Sequence, residues 1–190
     1  MQTSIVVLLD PPSYNYVRAV QLKMYELFRT KATLTLEPHF TIKYAYTPSN
    51  LKLAEDYFDD LISGTKEFDV NLNSIGSFDN DKNVVFLNVE KNDKLQALHM
   101  GILDELARRH LAQPSEFEGK DLHFHITLAY KDISKEDFQK AKLILQDEKP
   151  DFQFRVKRLA MYVRADDDAP WCIYKIGNLA AQANLSKHKS

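Results

Sequence analysis

The sequence predicts an α+β fold made of two copies of one unit, related by a pseudo-twofold axis that brings two similar strands to opposite walls of a groove. Four observations carry this. Pro38-His39-Phe40-Thr41-Ile42-Lys43-Tyr44 is written a second time as Phe124-His125-Ile126-Thr127-Leu128-Ala129-Tyr130. Phe68, Val70, Leu72 and Ile75 match Phe152, Phe154, Val156 and Leu159 at one constant offset. Both sets break alternation at the same place, Asn73-Ser74 and Lys157-Arg158, where one extra residue implies a bulge. Finally, Val84 to Val89 match Trp171 to Ile176, so the length changes fall in loops and a strand, helix, strand, strand order recurs.

Each element follows from its local pattern. Ile5 to Leu9 is a short apolar run stopped by Asp10-Pro11-Pro12, a first strand rather than a signal core. Tyr14 to Phe28 carries apolar residues at 17, 20, 24 and 28, the spacing of a core-facing helix entered through the two prolines. After the first His-x-Thr strand, Thr47-Pro48 predicts a helix start, with Leu51, Ala54, Phe58, Leu61 and Ile62 on one face and Glu55, Asp56, Asp59 and Asp60 on the solvated one. Phe68 to Phe78 and Val84 to Val89 form a hairpin across a polar loop. A helix runs from Asp93 to about His110, and its His99 and His110 are expected to be solvated or capping residues. Past the second His-x-Thr strand, Ser134 and Asp137 resemble a capping box for a helix bearing Phe138, Ala141 and Leu145. Strands at Phe152 to Arg164 and Trp171 to Ile176 complete a single domain over 1–177. Residues 178–190 are a polar tail without assigned structure.

The chain has 190 residues, 44% apolar and 27% charged, with a formal charge of -2, the balance of a soluble globular protein rather than a disordered or membrane one. A broad grip on duplex nucleic acid needs a basic excess that is missing here, so any nucleic-acid substrate is short or held by its end. Cys172 is the only cysteine, which excludes an internal disulfide and every multi-cysteine metal site and fits a reducing, cytoplasmic setting.

The chemistry lies in the repeated strand. Period-two alternation puts His39 and Thr41 on one face and Phe40, Ile42 and Tyr44 on the helix side; the second copy puts His125 and Thr127 opposite Phe124, Ile126, Leu128 and Tyr130. Two facing imidazoles suit a reaction that needs one base and one acid near neutral pH. Phosphodiester chemistry is such a reaction, with each threonine hydroxyl donating to a non-bridging phosphate oxygen and no metal or cofactor required.

With both motifs intact inside a repeat, the sequence resembles the 2H phosphoesterase superfamily, whose 2'-5' RNA ligase-like and cyclic phosphodiesterase members carry two His-x-Thr/Ser motifs. The resemblance covers roughly residues 1 to 177. It implies a bilobal α+β fold with antiparallel sheets lining a central cleft and helices outside. It also implies that His39 and His125 are catalytic, that Thr41 and Thr127 bind phosphate, and that the substrate carries a 2',3'-cyclic phosphate or a 2'-5' phosphodiester bond. The expected partner is an RNA end or a small cyclic nucleotide, met by a monomer. Ligation instead of hydrolysis, and a groove that binds an RNA end or nucleotide without turnover, are the alternatives.

Further residues are weaker candidates for substrate binding. Lys43 shares the groove parity of His39 and Thr41, so a phosphate is expected to favour its side, against the alternative of a lysine reaching solvent at the strand end. His123 lies on the groove side of His125 and lines its mouth; a His123-x-His125 metal pair is the lesser reading, since Glu37 alone sits at the equivalent place. Arg155, Lys157, Arg158 and Arg164 form a basic cluster that either holds further phosphates or is a solvated strand face. Tyr162 and Trp171 either stack on a base or pack in the core, as their counterparts Phe78 and Val84 would.

Overall fold

A computed structural model describes residues 1–181. Eight strands form one antiparallel, curled sheet: β1 (Gln2–Leu8), β2 (His39–Tyr46), β3 (Phe68–Phe78), β4 (Val84–Val89), β5 (His125–Ala129), β6 (Phe152–Val156), β7 (Arg158–Arg164) and β8 (Cys172–Asn178). Their order is β6-β3-β4-β5-β2-β1-β7-β8. Four helices, α1 (Pro11–Phe28), α2 (Leu51–Gly64), α3 (Asp93–Arg108) and α4 (Lys135–Leu145), cover one face. Val17, Val20 and Met24 of α1, Tyr57 and Phe58 of α2, Leu95, Ile102 and Leu106 of α3 and Phe138 of α4 share one core with Phe40, Ile42, Phe124, Ile126 and Leu128. The other face is left for the groove. There Val6, Leu8, Ala160 and Tyr162 form a small apolar cluster of their own.

The pseudo-twofold axis runs between β2 and β5. These strands touch through one registered pair, Phe40 with Ile126, and each is flanked on its far side, by β1 and by β4. The strand correspondence differs from the one the sequence offers: β4 takes the place of β1, not of β8, which lies at an edge. Similar apolar runs aligned two strands whose neighbours are different. The matched breaks, by contrast, are present. The β3–β4 ladder slips between Leu72 and Ile75, and Lys157 separates β6 from β7. Because β6 pairs with the first half of β3 while β7 pairs with β1, this one run of chain joins the two halves and draws the sheet round.

Helix starts follow side chains that accept free backbone N–H groups. Asp10 accepts from Ser13 N, Asn92 from Leu95 N and Ser134 from Asp137 N. The second helix starts later than Thr47-Pro48 predicts, because Asn50 is the residue whose side chain reaches Lys52 N. On β8, Gly177 lies so close to α2 that a Cβ there would meet Ile62 Cδ1 at 2.6 Å. Part of the polar tail belongs to the fold: Leu179 is buried, and Ala180 bridges Lys66 beside the end of α2. The rest of the tail lies outside the described residues. No helix among the described residues is long and apolar enough to cross a membrane.

Candidate active site

The Phe40–Ile126 register decides how the two motifs face each other. In an antiparallel pair the residues on either side of a matched pair are matched crosswise, so His39 lies across from Thr127 and Thr41 across from His125. The two histidines take the diagonal, a separation of about 7–8 Å in a regular ladder. His39 and Thr41, like His125 and Thr127, are half-buried on the face away from the helices.

Each imidazole is held the same way. His39 Nδ1 lies 2.6 Å from the Glu37 carbonyl oxygen, and His125 Nδ1 lies 2.9 Å from that of His123. A carbonyl only accepts, so Nδ1 carries the proton in both rings and Nε2 is left to exchange one. Aromatic edges pack against the rings: Tyr162 at 5.1 Å from His39, Phe78 at 5.1 Å and Phe86 at 5.2 Å from His125. Phe78 and Tyr162 hold matched positions in the repeat, so this support obeys the pseudo-symmetry; Phe86, which pairs with Thr127 where its counterpart Val6 pairs with Thr41, breaks it. Burial, which disfavours the charged ring, holds both imidazoles below the usual histidine value, and the His125 charge adds to this for His39. His123 is exposed at the groove mouth against Phe86 and Phe78 and is also lowered, first by partial burial and then by Lys91.

Lys43 is not in the groove. Val6 pairs with Thr41 and Ile5 with Lys43, so β2 spends two residues where β1 spends one, a bulge that turns Lys43 onto the core side with Ile42. Its ammonium is fully enclosed and meets Glu118 Oε2 at 2.7 Å, so it is not free to hold a phosphate. The same slip occurs in β5, where Phe86 pairs with Thr127 and Val85 with Ala129. Tyr44 and Tyr130, expected on the helix side, therefore turn to the groove and line a cavity of about 900 Å³ with Phe78, His123 and His125.

His99 is likewise no surface residue. It is fully buried, its Nε2 accepts from Gly119 N at 3.0 Å, and Nδ1 therefore donates to the Ile42 carbonyl at 2.8 Å. Tyr162 is buried beneath His39, with its phenol pushed up to about 12 by that burial, and offers no open face for a base. Arg164 stacks over Trp171 at 4.8 Å while bonding Gln2 and Asp167. Arg155 is paired with Asp69 across the ladder and Arg158 bonds the Leu9 carbonyl, so the basic cluster is divided among separate partners. Among the described residues no group of three or more His, Cys, Asp or Glu side chains converges as for a metal.

Sequence reasoning missed Phe86, Glu118 and the buried role of His99. Phe78 was within reach, since the repeat matches it to Tyr162. Glu118 and His99 carry no local signal, because their partners lie far away in the chain.

Comparison with known structures supports the same architecture. The apo crystal structure of Escherichia coli LigT is similar at a TM-score of 0.63 and 16% identity, covering 94% of this chain and 97% of that one. TT0787 of Thermus thermophilus is similar at a TM-score of 0.57 and 15% identity, covering 96% of this chain and 100% of that one. No curated protein sequence matches the chain. The model of the 2'-5' RNA ligase superfamily matches residues 9–168. With most of its length so matched, on a fold that sets two His-x-Thr strands side by side, this chain belongs to the 2'-5' RNA ligase superfamily.

Proposed function

We propose that the chain is a metal-independent phosphoesterase that opens 2',3'-cyclic phosphate ends or cleaves 2'-5' phosphodiester bonds of RNA or small nucleotides. The observation that carries this reading is the pair of imidazoles on adjacent strands, each with Nδ1 tied to a carbonyl and Nε2 free. One neutral Nε2 takes the proton of the attacking water as its oxygen bonds to phosphorus. The other, as an imidazolium, gives its Nε2 proton to the ribose oxygen as the P–O bond breaks. Thr41 and Thr127, each opposite a histidine of the other motif, donate to the non-bridging oxygens. With a ribose hydroxyl in place of water, the same steps form its bond to the phosphorus of a 2',3'-cyclic phosphate as one cyclic P–O bond breaks and the freed ribose oxygen takes the proton, which joins two ends and is the ligase alternative. Crystal structures of Escherichia coli LigT with 3'-AMP and with phosphate exist, ligands of the size the groove would take. Incubation with a 2',3'-cyclic nucleotide and a 2'-5' dinucleotide in the presence of a chelator is the test. Turnover is expected, whereas tight binding without product leaves a binding module, and a rate lost to the chelator and restored by metal moves the site to metal chemistry.

The lowered imidazoles set the pH dependence. The reactive form has one ring neutral and one charged, and both rings of the free protein titrate below 6.5. As pH rises past these values the charged ring is lost, so kcat/KM should peak on the acid side of 6.5 and fall toward pH 8, following apparent values that belong to the pair. A bound phosphodiester anion favours the imidazolium, so the kcat profile should lie at higher pH. A kcat/KM optimum above pH 7.5 contradicts this.

The support under His125 is also testable. Gly76 faces Phe86 across the β3–β4 ladder, and a Cβ there would meet the ring at 2.6 Å. Gly76→Ala should push Phe86 against His125 and lower kcat by about 10- to 100-fold, the cost of a misplaced catalytic group, with KM nearly constant. Unchanged kcat in a folded variant would show that Phe86 does not hold His125.

A further inference from the structure

Helices α1 and α3 follow β1 and β4, which hold corresponding places in the sheet, and the two helices carry the same stripe. Val17, Val20, Met24 and Phe28 of α1 match Leu95, Leu98, Ile102 and Leu106 of α3 at one constant offset. The same offset matches Gln21 to His99. These are polar residues in the middle of apolar faces, and both are buried. Burying a polar side chain costs free energy unless a hydrogen bond offsets it, so each needs a partner in the core.

Both partners are backbone carbonyls of a His-x-Thr strand, and they are taken crosswise. α1 packs on β5 and α3 on β2, each helix against the motif strand of the other unit. Gln21 Nε2 donates to the carbonyl of Thr127 itself at 2.9 Å. His99 Nδ1 donates to that of Ile42, next to Thr41, at 2.8 Å. β2 and β5 share only the Phe40–Ile126 pair, and past it each strand slips against its other neighbour, at Thr41–Lys43 and at Thr127–Ala129. Carbonyls at such slips lose a regular ladder partner and take a side-chain donor instead. The next carbonyl in each strand is met in the same way, Lys43 by Ser4 Oγ at 2.8 Å and Leu128 by Thr33 Oγ1 at 3.4 Å. Gln21 Oε1 finds no partner among the described residues. A methionine would fill the same space without burying that oxygen, so what the glutamine adds is its one bond to Thr127.

We infer that Gln21 and His99 are a matched pair of positioning residues for the proposed reaction, Gln21 acting through Thr127 and His99 through Thr41, so that each half of the molecule sets the phosphate donor of the other. The inference rests on the proposed phosphoester site. A strand that moves by one residue turns its side chains to the opposite face, and the two motif strands are tied to each other by a single registered pair. Pinning a carbonyl at each slip fixes where the slip falls and keeps both hydroxyls aimed at the space between the motifs. Placement there matters, because a shift of about 1 Å in a catalytic group can cost about 10²-fold in rate.

Double variants of the full chain are the test, because a residue that acts through a threonine has nothing left to act on once the hydroxyl is gone. For a nucleoside 2',3'-cyclic phosphate, Gln21→Met should lower kcat/KM by about tenfold in the native chain and in Thr41→Ala, but by less than about twofold in Thr127→Ala. For the other half, His99→Asn keeps a donor where Nδ1 stands and loses only the acceptor for Gly119 N, whereas His99→Leu loses both. The Asn variant should outpace the Leu variant by about tenfold, and this advantage should vanish in Thr41→Ala. A role in stability alone predicts equal losses in every background and rates that follow the melting midpoint; either result overturns the inference, as does an undiminished rate in folded Gln21→Met. Should Gln21→Met fail to fold, equal rates in the two His99 variants overturn it. Inorganic phosphate, titrated by calorimetry, reads the same placement without turnover: Gln21→Met should weaken it by about three- to tenfold, part of the worth of a hydrogen bond to a charged oxygen, and should leave it unchanged in Thr127→Ala. A chain that shows this pattern with phosphate but turns nothing over keeps the positioning pair and loses the proposed reaction. One that hydrolyses cyclic phosphates while Gln21→Met costs as much in Thr127→Ala as in the native chain does the reverse.

Discussion

For a nucleoside 2',3'-cyclic phosphate, kcat/KM is expected to fall by about 10²- to 10⁴-fold when either His39 or His125 is replaced by alanine, with KM moving far less. Each imidazole is fixed through Nδ1, at 2.6 Å for His39 and 2.9 Å for His125, so the contribution of the ring is a proton exchanged at Nε2 in the transition state alone. The double variant should be little worse than the poorer single one, because acid and base serve the same transition state and their losses do not add. Thr41→Ala and Thr127→Ala should cost about 10²-fold or less, the lower end for one oxyanion donor, since water can replace a hydroxyl. Full activity in both single histidine variants would falsify the mechanism.

The largest loss of stability is expected from Lys43→Met. It leaves the Glu118 carboxylate, wholly enclosed, without its cation, and breaking such a pair from one side costs about 3–5 kcal/mol. In a chain of this size that is roughly 6–20 °C in Tm. Adding Glu118→Met removes the stranded charge but leaves Tyr44 N and Ser115 N without their acceptor, each worth about 1–3 kcal/mol when buried, so recovery should be partial. Urea melts of the two variants measure both statements. A Lys43→Met protein within about 0.5 kcal/mol of the native one, the ordinary scatter of surface changes, would show that the pair is open to water in solution.

Much of the architecture could be read from local pattern. Alternation marked β2, β3 and β5, helical spacing marked α1 to α4, and Ser134 with Asp137 marked the start of α4 at the observed cap. The cap at Asn50 rather than Thr47 was not legible, because both residues suit the position and only the path of the chain leaving β2 selects one. The match of β4 to β8 failed for a related reason: apolar runs look alike, whereas a strand's place in a sheet depends on its neighbours.

By itself, then, the sequence determined that two His-x-Thr strands are repeated inside a duplicated α+β unit, because identical local patterns reach the same local structure wherever they occur. Only the tertiary structure decided what each groove residue faces. A bulge exists only against a partner strand, and the slips at Thr41–Lys43 and Thr127–Ala129 need β1 and β4 beside them. Those slips send Lys43 inward to Glu118 and Tyr44 and Tyr130 outward to the groove, reversing the parity that each side chain had on paper.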